Sequence, residues 1–85
     1  MAVAVRITPK QMSKADYEQM IDELEKAGCG EPEGRTFHAA YGDDEVHVFE
    51  VYETKEQWDD HRENMFNCLQ ASGLDLGTVE VKNIH

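Results

Sequence analysis

Apolar and polar residues at the start of the chain alternate first with the period of a strand and then with that of a helix. Residues 2–7 (AVAVRI) place three β-branched residues on one face of a predicted strand, and Pro9 ends it because proline cannot donate to a sheet. Ser13 has the position of an N-cap, with Asp16 as its capping-box partner. Gly28 is predicted to end the helix that follows. The inward stripe of this helix consists of Tyr17, Met20, Ile21 and Leu24.

The middle of the chain predicts a β-hairpin. Arg35–Tyr41 and Val46–Glu53 alternate with the period of strands. Between them, Gly42–Glu45 has the composition of a turn. The hairpin therefore supplies the second and third strands of the fold.

The pairing of the hairpin decides which side chains share a face of the sheet. A pairing of Tyr41 with Val46 places His38 and His47 together on one face and Glu50 on the other. A change of one residue in the turn would exchange the faces on one strand. The expected shared face of the two histidines thus depends on this register.

A second capped helix follows the hairpin directly. Thr54 is the predicted N-cap and Gln57 its capping-box partner. Gly73 is predicted to end this helix, and Gly77–His85 supplies a last strand. The inward stripe of the helix consists of Trp58, His61, Met65, Leu69 and Ser72.

The element order β-α-β-β-α-β predicts an α+β protein with a ferredoxin-like fold and a four-stranded antiparallel sheet, in a single domain over residues 1–85. A chain of 85 residues has a marginal core on its own. Both faces of the hairpin are largely apolar, whereas two helices cover only one face. We therefore expect a homodimer in which two sheets close face to face into a dimeric α+β barrel.

Charge and composition exclude several partners. Eighteen acidic against eight basic residues give a net charge of −10, which repels nucleic acid. The sequence has no apolar run long enough to span a membrane. It has two cysteines, Cys29 and Cys68, and no C-x-x-C pair, so neither a zinc site nor a disulfide is expected. With no leader pattern at its start, the sequence predicts a cytoplasmic protein without metal or cofactor.

The stretch Glu50-x-Tyr52-x-Thr54-x-x-x-Trp58-x-x-His61 resembles the antibiotic biosynthesis monooxygenase-like domains of the dimeric α+β barrel superfamily. In that family the third strand commonly ends in an acidic residue, a large aromatic residue and a Ser/Thr cap. The next helix often carries an aromatic residue or Leu, followed by His at the spacing of Trp58 and His61. The resemblance implies a homodimer around a pocket for a small hydrophobic or aromatic molecule.

The segment Gly34-Arg35-x-x-His38 resembles short bacterial members of the same superfamily. Other positions depart from the enzymes of the family. Its cofactor-independent monooxygenases use an Asn and a Trp near the third strand, where this chain has Tyr52 and where its hairpin strands contain no Asn. Its haem-degrading enzymes need an Asn on the first strand, which residues 2–7 lack. The resemblance therefore implies the fold without implying the chemistry.

His61 and Tyr52 are the candidate catalytic residues. An imidazole on the apolar stripe of a helix, near an aromatic residue at the end of the preceding strand, could act as a general acid or base or orient a ligand oxygen. The alternative for His61 is a core histidine that a backbone carbonyl or a neighbouring acid satisfies.

The candidate pocket residues are His38, His47, Glu50, Trp58 and Arg6. Two histidines on adjacent strands without a third ligand favour a cavity lining or an interface over a metal site. A buried carboxylate at Glu50 needs a cation, a hydroxyl or a wet pocket, because an unpaired buried charge is destabilising. Arg6 could bind a ligand carboxylate or pair with Glu50 or Glu80.

Two functions from different classes fit these features. The first is a cofactor-independent monooxygenase- or isomerase-like enzyme that acts on a small aromatic or polyketide-like molecule, with His61 and Tyr52 supplying proton transfer and hydrogen bonds. The second is a non-catalytic dimeric module that binds a small molecule or a partner. A cavity of a few hundred Å³ beside His61 favours a ligand site, since such sites commonly have about that volume.

Overall fold

The computed structural model describes residues 1–69 and 76–85. Within these residues the four strands form one antiparallel sheet in the spatial order β2-β3-β1-β4. This arrangement confirms the predicted ferredoxin-like fold. The elements in chain order are β1 (Val3–Thr8), α1 (Lys14–Lys26), β2 (Arg35–Tyr41), β3 (His47–Tyr52), α2 (Lys55–Leu69) and β4 (Thr78–Asn83).

The two predicted capping boxes and the predicted end of the first helix are confirmed. At α1 the Ser13 hydroxyl accepts from the Asp16 N–H and the Asp16 carboxylate accepts from the Ser13 N–H, both at 3.2 Å. At α2 the Thr54 N–H donates to the Gln57 amide oxygen at 3.1 Å, and the Gln57 N–H donates to the Thr54 hydroxyl at 3.2 Å. Gly28 follows the end of α1 with a φ of +79°, a left-handed conformation that glycine adopts without strain. These caps fix where each helix begins relative to the strand before it.

The predicted hairpin register is wrong by one residue. Tyr41 pairs with His47 rather than with Val46. The turn is longer because the Val46 N–H donates to the Met12 carbonyl at 2.9 Å and the Val46 side chain is buried, so this residue belongs to the core and not to the ladder. As a consequence, His38 and His47 lie on opposite faces of the sheet instead of sharing one.

The two faces of the sheet differ in what covers them. The helix-facing side carries the buried residues Val3, Val5, Ile7, Val48, Glu50 and Tyr52. These side chains pack with the buried sides of both helices in one core. The opposite side, here called the outer face, is largely apolar on β2 and β3. Its residues on these strands are Phe37, Ala39, Tyr41, His47, Phe49 and Val51.

Part of the second-helix prediction lies outside the described residues, namely Ser72 and the predicted end at Gly73, together with the side chains of Cys68 and Leu69. Cys29 is in a disulfide bond, contrary to the expectation from composition. Among the described residues, no helix has the length and apolar character needed to cross a membrane.

Candidate functional site

A buried carboxylate lies at the centre of the helix-facing side of the sheet. Glu50 on β3 is 4% exposed. Its Oε2 accepts a hydrogen bond from Arg35 Nη1 at 2.9 Å, and its Oε1 accepts one from the Tyr52 hydroxyl at 3.0 Å. Both carboxylate oxygens are therefore paired, which is the condition for burying such a charge. Of the partners that the sequence requires for Glu50, a cation and a hydroxyl are both present.

The cation that pairs with Glu50 is Arg35, because an irregularity in β2 turns its side chain toward the helices. Arg35 pairs with Tyr52 across the hairpin, whereas Phe37 pairs with Val51. β2 therefore has one extra residue, Thr36, between two pairs that are consecutive on β3. A bulge of this kind changes the face on which a side chain lies. Arg35 Nη2 also donates to the Gly30 carbonyl at 3.1 Å, which ties the loop after α1 to the sheet.

His38 and Tyr17 extend the polar cluster toward α1. The Tyr17 hydroxyl and His38 Nε2 share a hydrogen bond of 3.0 Å, and the same nitrogen lies 3.7 Å from Glu50 Oε2. Burial holds the pKa of His38 below its ordinary value, although Glu50 opposes this shift and Arg35 adds to it. Burial and the nearby Glu50 raise the pKa of Tyr17. Both side chains are therefore neutral at pH 7.

His61 on α2 is 6% exposed and packs against two aromatic rings. Its ring centroid lies 6.1 Å from that of Tyr52 and 6.3 Å from that of Trp58. In the part of the chain that the structure describes, no hydrogen bond joins the His61 ring to the protein. Burial lowers the pKa of His61, and Arg35 and His38 lower it further against the opposing effect of Glu50. His61 is therefore a neutral imidazole with its nitrogens available to a ligand.

Tyr52 and Trp58 form the wall behind His61. Trp58 is 1% exposed and Tyr52 is fully buried, with ring centroids 5.5 Å apart. Burial, then Glu50, raises the pKa of Tyr52, so its hydroxyl stays protonated and continues to donate to Glu50. These two side chains hold the imidazole in place through packing.

His61 borders two spaces. The inner cavity, between the sheet and the helices, has a volume of about 30 Å³ and is lined in part by Tyr17, Arg35, His38, Glu50 and His61. Such a volume suits one or two water molecules. The second space, here called the cleft, opens between the loop after α1 and α2 and has a volume of about 290 Å³. Its polar lining consists of Glu31, Glu33, Gln57, Asp60, His61 and Asn64.

The structure brings together five of the seven residues that the sequence proposes for the site, namely His61, Tyr52, Glu50, Trp58 and His38. The other two lie on the outer face. His47 stacks on Tyr41 there with ring centroids 5.4 Å apart, and Arg6 stands opposite Glu80 in the pairing of β1 with β4. Neither residue can reach Glu50 or His61 through the sheet.

The sequence candidates omit Arg35, although it is the main partner of Glu50. The signal for it was present, because a buried acid requires a cation and the helix-facing side of the sheet supplies few. Alternation along β2 from Phe37 would leave Arg35 on the outer face, and a bulge that reverses this cannot be recognised from alternation alone. Among the described residues no group of three or more His, Cys, Asp or Glu side chains could hold a metal ion.

Comparison with solved structures shows what this fold resembles. SnoaB from Streptomyces nogalater, a cofactor-independent oxygenase, is similar with a TM-score of 0.62 and 12% identity, over 98% of this chain and 90% of that chain. The protein YJCS is similar over the whole of both chains, with a TM-score of 0.67 and 15% identity. A candidate antibiotic biosynthesis monooxygenase from Deinococcus radiodurans is similar with a TM-score of 0.61 and 8% identity, over 100% of this chain and 93% of that chain.

These likenesses assign the fold. The chain has the ferredoxin-like α+β fold of these solved structures, which is the fold that its sequence motifs predict. No protein-family model matches the chain, and no curated protein matches it in sequence. Identities of 15% and below show a shared fold and not a shared activity.

Proposed function

We propose that the protein is a cofactor-independent enzyme, of the monooxygenase- or isomerase-like kind, that transfers a proton on a small aromatic or polyketide-like molecule. The observation that carries this proposal is His61, a buried neutral imidazole that borders both the cleft and the inner cavity and has no hydrogen bond to the described residues. A core histidine that a carbonyl satisfies would have such a bond. His61 is free to accept a proton from a ligand in the cleft.

The surrounding residues have positioning roles in this proposal. Tyr52 and Trp58 fix the plane of the His61 ring, and the pairing of Arg35 with Glu50 keeps the buried charge beside it balanced. Tyr52 already donates its hydroxyl to Glu50 and so acts through His61 rather than on a ligand. His61 is the single catalytic residue that we assign.

Isomerase-like and monooxygenase-like reactions share this first step. In both, a base takes a proton from a carbon next to a carbonyl or from a phenol, which leaves an electron-rich enolate or phenolate. Return of the proton to another atom completes an isomerisation, whereas oxygenation needs dioxygen as the oxidant. The test therefore addresses the shared proton transfer.

Proton abstraction can be measured as deuterium exchange at the α-carbons of 2-tetralone, a small bicyclic ketone, by NMR in heavy water. A positioned general base typically contributes about 10²–10⁴-fold, so the wild-type protein should accelerate exchange clearly over buffer. His61→Phe should reduce the acceleration by about 10²-fold or more while the fold is kept. Because burial holds the pKa of His61 below 6.5, the wild-type rate should be level above that pH and fall in more acidic solution.

The matched control is His85→Gln, which removes an exposed imidazole after β4, outside the lining of the cleft and of the inner cavity, and should keep the wild-type rate. Thermal melts of both variants check the fold. Exchange by His61→Phe at the wild-type rate would contradict the proposal. If His61→Phe lowers the stability by about 1–3 kcal/mol and leaves the exchange rate unchanged, His61 is a structural histidine.

The second candidate is a non-catalytic dimeric module that binds a small molecule. The observation in its favour is the small size of the inner cavity. A volume of about 30 Å³ leaves no room for an organic substrate between His61 and Glu50. In this case 2-tetralone would shift the NMR signals of residues around the cleft without any exchange above buffer. The same experiment thus separates the two functions.

The protein should be a homodimer that buries the outer face. Phe37 and Tyr41 are 52% and 54% exposed there, and Phe37 contacts Phe49 with ring centroids 6.0 Å apart. An apolar area of this kind on a small acidic protein is typical of an interface. Light scattering after gel filtration should give twice the chain mass of 9.7 kDa.

The variant Phe37→Lys/Tyr41→Lys should elute with the mass of a single chain, because a lysine pair on this face opposes its burial. Phe66→Lys is the control, since Phe66 is 62% exposed on α2. It should leave the mass of the dimer unchanged. A monomeric wild-type protein at micromolar concentration would refute the dimer.

A further inference from the structure

The cleft beside His61 has a strongly one-sided charge. Three of its lining side chains are acidic, namely Glu31, Glu33 and Asp60, and none of its lining residues in the described part of the chain is Lys or Arg. Glu31 and Glu33 lie on the loop after α1, and Asp60 faces them from α2. A concave surface lined by one sign of charge concentrates ligands of the opposite sign.

An acidic lining alone is often only a solvated surface, but here a buried polar group opens into the same space. His61 is 6% exposed, has no hydrogen bond to the described residues and lines the cleft. Among the described residues, every fully buried polar side-chain atom has a hydrogen-bond partner. Because the ring nitrogens of His61 have no such partner, they must border the adjoining spaces. The cleft is therefore lined both by acidic side chains and by a buried imidazole that has no hydrogen bond to the described residues.

We infer that the cleft selects a small one- or two-ring ligand that carries a protonated amine, with the acidic side chains holding the ammonium and His61 facing the ring. The inference rests on the proposed function, because it takes His61 as the group that the ligand reaches. It adds the charge and the size of the ligand.

Three features favour an organic cation over other ligands. The described residues contain no group of three or more His, Cys, Asp or Glu side chains that could hold a metal ion. His61 is neutral and does not repel a cation. The volume of about 290 Å³ is at the lower end of ligand pockets and suits a molecule of one or two rings. Gln57 and Asn64 add amide groups that can bond to a neutral part of the ligand.

The experiment compares three probes that share one ring system and differ in charge. They are the cation 1-naphthylmethylamine, the neutral 1-naphthylmethanol and the anion 1-naphthaleneacetate. Calorimetric titration of the wild-type protein at pH 7 and low salt should give a dissociation constant at least about 10-fold lower for the amine than for the carboxylate, with the alcohol between them. The difference should shrink to about 2–3-fold at 0.5 M salt, because screening weakens interactions near the surface.

The decisive variant neutralises the cleft as Glu31→Gln/Glu33→Gln/Asp60→Asn. Its matched control, Glu18→Gln/Glu45→Gln/Glu80→Gln, changes the net charge by the same amount at residues outside the cleft lining. The cleft variant should lose the preference for the amine, and the control should keep it. On addition of the amine, the side-chain amide NMR signals of Gln57 and Asn64 should shift in the wild-type protein.

Two results would overturn the inference. Equal binding of the amine and the carboxylate by the wild-type protein would show that the cleft has no charge selectivity. An equal loss of preference in both triple variants would show that only the net charge of the protein matters. Failure of the proposed function looks different, since binding of the amine at the cleft without deuterium exchange in 2-tetralone leaves the inference intact and removes the enzymatic role.

Discussion

Trp58→Ala should destabilise the protein by about 3–5 kcal/mol, the usual range for removing a large aromatic side chain from a core. Trp58 is 1% exposed and its ring packs against the rings of both Tyr52 and His61. Its removal leaves a cavity that the sheet and α2 cannot close without moving. For a chain of 85 residues this is a large part of the total stability.

Urea unfolding monitored by circular dichroism measures this loss. Phe66→Ala provides the control on the same helix, since the Phe66 side chain is 62% exposed and its removal should change the free energy of unfolding by at most about 0.5 kcal/mol. A loss below about 1 kcal/mol for Trp58→Ala would show that the indole does not anchor α2 on the sheet. The comparison between the two variants removes effects common to any shortened aromatic side chain.

The helices could be predicted from the sequence because their signals are local. Ser13 with Asp16, and Thr54 with Gln57, form capping boxes from residues three positions apart, so no tertiary contact is needed to recognise them. The helical period then places Trp58 on the inward face with His61. Local signals therefore suffice to predict the part of the site that lies on α2.

The hairpin register could not be predicted in this way, because a distant contact decides it. The Met12 carbonyl accepts from the Val46 N–H and removes Val46 from the ladder. Strand alternation contains no information about that bond. The shift of one residue moves His38 to the side of Glu50 and His47 to the outer face, which is the difference between a site residue and an interface residue.

The partner of Glu50 illustrates the limit of reasoning from alternation. A buried Glu50 requires a cation, and the sequence offers Arg6 for it, whereas alternation along β2 from Phe37 would leave Arg35 on the outer face. The bulge in β2 reverses the side of Arg35. Bulges depend on how two strands twist together, so the requirement could be derived from the sequence and the residue that meets it could not.

The core and the site share residues, and this links stability to chemistry. Tyr52 belongs to the hydrophobic core and also donates to Glu50, while Trp58 packs against both Tyr52 and His61. A substitution in this group therefore affects folding and the position of the imidazole together. Only variants at the rim of the cleft, such as those at Glu31 or Glu33, separate ligand selection from stability.

The ion pair between Arg35 and Glu50 gives the second large expected effect. Arg35→Met should destabilise the protein by about 3–5 kcal/mol, because it leaves the carboxylate of Glu50 buried without its cation. The side chains of the two residues are only 18% and 5% exposed, so water cannot replace the lost partner. Urea unfolding again provides the measurement.

The double variant Arg35→Met/Glu50→Gln should recover more than half of that loss, since a neutral amide at position 50 still accepts from the Tyr52 hydroxyl. Lys55→Met is the matched control. The pair of Lys55 with Asp59 has the same separation of 2.9 Å, but its side chains are 62% and 50% exposed, so its loss should change the free energy by at most about 1 kcal/mol. If Arg35→Met and Lys55→Met lower the free energy of unfolding equally, the buried ion pair of Arg35 and Glu50 contributes no more to stability than an exposed pair. In that case the charge beside His61 would be solvated, and the neutral, desolvated imidazole on which the proposed proton transfer depends would lose its physical basis.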